Sequence, residues 1–87
     1  MTQFRPTSML IENIPTDLFN GIIDNLSVDG WTVTYQYDNM DAGVDYSLVR
    51  LMRNGVELRF EWTNWDEGSV DGADDEVRAI ALRYGLS

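Results

Sequence analysis

The chain has 87 residues, with 15 acidic side chains against six basic ones, a formal charge of −9, and neither cysteine nor histidine. Disulfide and thiolate chemistry are therefore excluded, and so is the usual general base near neutral pH. All six basic residues are arginine, which also removes Schiff-base and phosphate-binding lysines.

A chain of this length is expected to form one domain, residues 1–87, burying roughly 60–65% of its extended surface around a single modest core. An apolar fraction of 44%, with three Trp, four Tyr and three Phe, argues for a folded chain rather than a disordered one. No stretch resembles a signal peptide or reaches membrane-spanning length, so the expectation is a soluble cytoplasmic protein. The acidity repels nucleic acid and anionic membrane and favours basic partners, although solubility alone also accounts for it.

Residues 1–14, MTQFRPTSMLIENI, carry the weakest pattern. Met9-Leu10-Ile11 suits an edge strand or a helix start, and Ser8 suits the cap of a short turn. Pro15 then opens an amphipathic helix in its first turn, where the missing N–H costs nothing. Leu18, Phe19, Ile22, Ile23 and Leu26 form its apolar stripe, Gly21 weakens it, and Asp29-Gly30 is the turn out near Ser27. Trp31–Tyr37 reads as the first strand, with Trp31, Val33, Tyr35 and Tyr37 on one face. Asp38–Val44 follows as a polar loop, with Gly43 available for a left-handed conformation.

The clearest signal is a hairpin centred on Asn54-Gly55, a dipeptide that tolerates the positive φ of a type I′ turn. From Val56, apolar Val56, Leu58, Phe60 and Trp62 alternate with Glu57, Arg59 and Glu61. A two-residue loop sets Arg53 opposite Val56, Leu51 opposite Leu58 and Val49 opposite Phe60. The same register puts Arg50 directly opposite Arg59 on the outer face, with Glu57 and Glu61 at diagonal positions and Leu48 and Met52 alongside. After Thr63 comes a turn and an acidic linker, then a final helix from about Gly72 to Tyr84. Asp71 is its expected N-cap, Asp74, Asp75 and Glu76 fill its first turn, and Val77, Ile80, Ala81 and Tyr84 form its buried stripe. Gly85 suits the left-handed position past its end.

The expected fold is therefore α+β: a two-layer sandwich with a three-stranded antiparallel meander sheet and an N-terminal and a C-terminal helix packed on one face, in the order α-β-β-β-α. Double-stranded RNA-binding domains share that order. They hold phosphate with basic residues at the start of the last helix, where this chain has Asp74, Asp75 and Glu76, so the family is not inferred.

No metal, cofactor or catalytic residue is expected. Asp38, Asn39, Asp41 and Asp45 make one oxygen-rich segment and 66–76 another, but neither matches the ligand spacing of an EF-hand. Glycoside hydrolysis needs paired carboxylates lining a cleft, for which a domain of this size has little room. What remains is a non-enzymatic interaction module, an inhibitor or charge mimic that docks on a basic protein surface. Its expected contact residues are Trp65, Asp66, Glu67, Asp71, Asp74, Asp75 and Glu76, an aromatic anchor among carboxylates. The alternative is a self-associating domain, a homodimer through the sheet, and the remote alternative is a hydrolase that uses carboxylates alone.

Overall fold

The computed structural model describes residues 8–41 and 44–86. It contains strand β1 (Ser8–Ile14), helix α1 (Thr16–Val28), strands β2 (Thr32–Asp41), β3 (Val44–Arg53), β4 (Val56–Thr63) and β5 (Glu67–Ala73), and helix α2 (Asp74–Tyr84). All five strands belong to one antiparallel sheet in the order β1-β5-β4-β3-β2. The chain starts at one edge, crosses the sheet through α1, and meanders back from the far edge until β5 pairs with β1.

The expected three-stranded sheet is thus corrected to five strands. The stretch read as an acidic linker is β5, and residues 8–14 are an edge strand rather than a helix start or cap. Glycine and aspartate give β5, EGSVDGA, almost no strand propensity of its own. It is a strand because both its edges are paired, to β4 and to β1, and because Val70 is fully buried in the core.

Its glycines answer to packing. A Cβ on Gly68 would stand 2.3 Å from Phe19 Cδ1, and one on Gly72 would stand 2.7 Å from the Glu57 carbonyl oxygen and from Leu58 Cδ2. Side chains at these positions would push α1 and β4 away from the strand.

The central hairpin follows the sequence. Arg53 pairs with Val56, Leu51 with Leu58, Val49 with Phe60 and Arg50 with Arg59. Asn54 and Gly55 both have positive φ, 52° and 78°. Strands β2 and β3 run further than expected, pairing as far as Asp41 with Val44. Residues 38–41 and 44, expected in a polar loop, are thus strand, and Ala42 and Gly43 lie outside the described residues.

A bulge in β2 between Val33 and Tyr35 changes the side of the sheet its residues face. Val33 shares a face with Leu51, whereas Tyr35 and Tyr37 share the opposite face with Arg50 and Leu48. The expected shared face of Trp31, Val33, Tyr35 and Tyr37 is therefore split.

Both helices lie on the face carrying Val49, Leu58, Phe60 and Val70, and they contribute Phe19, Ile22, Leu26, Val77, Ile80 and Ala81 to one core cluster. Phe19 and Phe60 meet edge to face, with ring centroids 5.8 Å apart. Trp31 closes the cluster below Arg53, whose guanidinium lies 4.9 Å from the indole centroid.

The final helix begins at Asp74 with Ala73 at the cap position, so Asp71 remains a strand residue rather than a cap. Gly85 takes the left-handed conformation at φ 69°, and the Leu86 N–H donates to the Ala81 carbonyl at 2.9 Å. No described helix is long and apolar enough to cross a membrane.

Candidate functional site

The expected contact residues fall into two groups. Trp65, Asp66 and Glu67 belong to the β4–β5 connection, whereas Asp74, Asp75 and Glu76 open α2 at the other end of β5. At about 3.3 Å per residue, the strand holds these groups roughly 20 Å apart. A flexible linker would have allowed one continuous acidic patch; the strand sets two.

The α2 group is largely engaged with its own helix and its neighbours. Asp74 pairs with Arg78 at 3.3 Å, Asp75 accepts the Glu76 N–H at 3.0 Å, and Glu76 stands 4.0 Å from Arg53. Asp71 lies mid-strand on the outer sheet face, cross-strand from Arg59 and Leu10.

The turn group is different. Trp65 is 73% exposed at the tip, so it does not fold back over the sheet. The turn beneath it is held by the Thr63 hydroxyl, which accepts the N–H groups of Trp65 at 3.3 Å and Asp66 at 2.9 Å.

Glu67 closes the turn at φ 59°, a left-handed position that glycine usually fills. Its carboxylate accepts both the Thr16 N–H, at 3.2 Å, and the Thr16 hydroxyl, at 3.1 Å. Pro15, at the cap position of α1, has no side-chain donor or acceptor, and Glu67 takes over that role from across the fold. The Trp62 indole N–H donates to the same Thr16 hydroxyl at 2.9 Å, joining β4, β5 and α1 at one node.

Beside this turn, Glu12, Glu61, Asp66 and Glu67 line a cleft of about 210 Å³, together with Asn13, Thr63, Gly68 and Ser69. One water occupies about 30 Å³ of liquid, so the cleft has room for a side-chain head group with part of its hydration. Two of its lining residues, Asn13 and Glu67, are non-glycine residues with positive φ. Glu12 and Asn13 reach the cleft because β1 is irregular between Ile11 and Ile14.

On the adjoining sheet face, the Tyr46 hydroxyl donates to Glu61 Oε2 at 2.6 Å, and Arg59 lies 3.5 Å from the same oxygen. The hydrogen bond to Glu61 raises the Tyr46 phenol above its usual pKa of 10.0, followed by burial and the charge of Glu61, with Arg59 acting in the opposite direction.

Trp65 and Asp66 were readable in the sequence as an aromatic beside an acid. Glu12 and Glu61 were not readable as their neighbours, because only the pairing of β1 and β4 with β5 brings them to the cleft. Among the described residues, no group of three or more Asp or Glu is arranged to hold a metal ion. Searches against protein families, curated proteins and solved structures find no match for this chain.

Proposed function

We propose that the chain is a non-catalytic interaction module that docks a basic segment of another protein at the β4–β5 turn. The observation that carries this reading is an exposed tryptophan at the tip of a turn whose adjoining cleft is lined by four carboxylates. An arginine or lysine entering the cleft meets Glu12, Glu61 and Asp66, while Trp65 supplies apolar contact and an aromatic face for the cation. The overall charge of −9 steers a basic partner towards the surface and makes association salt-dependent.

The test is fluorescence titration with an arginine-rich peptide at low and high salt. Trp65 is the exposed indole and dominates the change on binding. Trp65→Ala is expected to weaken binding by roughly 30-fold, about 2 kcal/mol, the level of an anchor residue. Because the side chain is exposed, thermal stability should hardly move. Paired Glu12→Gln and Asp66→Asn substitutions are expected to flatten the salt dependence. Equal affinity of Trp65→Ala and the parent chain would refute the proposal.

A further inference from the structure

We infer that the uncovered face of the sheet is a two-fold interface that pairs this chain with a second copy of itself. Both helices pack on one face, and no other described element covers the opposite one. On that open face one cross-strand row runs through all five strands: Tyr35 on β2, Arg50 on β3, Arg59 on β4, Asp71 on β5 and Leu10 on β1. In that order the row is aromatic, cationic, cationic, anionic and apolar. Its middle member lies on β4, the middle strand of the sheet.

A two-fold axis along β4 reverses the row. It sets Arg50 of one copy against Asp71 of the other and Tyr35 against Leu10, twice over, and Arg59 against its own counterpart. An axis along β3, between β3 and β4, or across the strands sets Arg50 against an arginine, and one between β4 and β5 sets it against Leu10. The central-strand axis is thus the one that gives Arg50 a carboxylate.

Among the described residues, Arg50 is the arginine that lacks a carboxylate partner. Arg53, Arg59, Arg78 and Arg83 each have a carboxylate within 4.0 Å. Among the described residues, Arg50 has none, in a protein with 15 acidic side chains. Its Nε is buried without a hydrogen bond, and its guanidinium lies over Tyr35 at 5.5 Å from the ring centroid.

The face also has the composition of an interface. Tyr35 and Leu10 are 48% and 55% exposed, Tyr37 and Met52 are exposed beside them, and Leu48 is buried beneath. Five strands spaced about 4.8 Å apart and about seven residues long give a face on the order of 600 Å² in projection. Side-chain relief brings this close to the ~800 Å² per partner of a standard interface. Glu61 sits on the same face and also lines the cleft, so self-pairing and docking of a basic segment compete for it.

The test is sedimentation equilibrium of the full chain over a wide concentration range. The expected species is a dimer of 10.0 kDa chains. Asp71→Arg sets arginine against Arg50 and is expected to raise the dissociation constant at least about tenfold; adding Arg50→Asp in the same chain restores the pair with reversed sign and recovers most of that loss. Arg59 is cross-strand from both positions, so circular dichroism must first show each variant folded like the parent for the change in mass to report the interface.

A second readout uses the absence of cysteine. Arg59→Cys lies on the axis and should be joined to its own counterpart by a thiol-reactive linker spanning about 10 Å, the separation of packed sheets. Leu82→Cys, on the exposed side of α2, should not be. A monomeric mass at about 1 mM, the top of the range in which weak complexes populate, overturns the inference. So does a dimer indifferent to both charge reversals, or one in which Arg59→Cys fails to link.

Discussion

Glu67 shows how one side chain can carry two structural duties. It adopts a backbone conformation that costs a non-glycine residue on the order of 1 kcal/mol, and its carboxylate caps a helix that begins with proline. Glu67→Ala keeps the strained conformation and loses the acceptor, so it should lower unfolding free energy by about 1 kcal/mol in a denaturant titration. Glu67→Gln retains a carbonyl acceptor and should cost less. Tyr46 offers a pH probe on the adjoining face. Its folded-state pKa is raised, so the stability it contributes is complete below pH 10.0 and is lost as the pH climbs through the raised value. An ultraviolet absorbance titration should show a phenol ionising above 10.0 that disappears in Tyr46→Phe and moves down in Glu61→Gln.

At the scale of elements, β5 is the piece the sheet cannot do without, although its sequence hides it. Gly68→Ala drives a methyl into the Phe19 ring and should destabilise the fold by about 1–3 kcal/mol, measured as a lowered denaturation midpoint. The same substitution at an exposed position would be close to neutral, so the size of the loss reports the contact. This steric demand also explains what the sequence concealed. The β3–β4 hairpin announces itself through Asn54-Gly55 and strict alternation, because turn chemistry and a half-buried strand are local properties. Strand β5 has neither: its requirement is smallness at Gly68 and Gly72, which reads locally as a linker. Tyr35 and Tyr37 were placed with Trp31 by simple alternation, and the β2 bulge, which has no sequence mark, moved them to the open face. The candidate site followed the same pattern. Trp65 and Asp66 are neighbours in the chain and were legible; Glu12 and Glu61 reach them through strand pairing and were not.

For the whole molecule, the governing quantity is charge. The four ion pairs among the described residues are all partly exposed and offset little of the net −9, so the folded chain repels itself. Raising ionic strength from about 10 mM to about 150 mM shortens the screening length from about 30 Å to about 8 Å. If this relieves about 1 kcal/mol of repulsion, the melting temperature should rise by roughly 4–8 °C in a calorimetric scan. A fall would mean that the ion pairs, not the excess charge, dominate.

The route of the chain through the sheet has a kinetic consequence. Strands β2 to β5 follow one another within two or three residues, so each pairing closes a small loop at little entropic cost. Strand β1 pairs instead with β5, from the opposite end of the chain, and can dock only after the meander is assembled and α1 has crossed it. It is therefore the last strand to arrive and, at the sheet's edge, the first to leave. While it is away, β5 presents a bare edge shaped to accept the sequence of β1, from its own chain or from another. Refolding at high concentration should then yield strand-exchanged pairs, held by the contacts of the monomer and by no new ones.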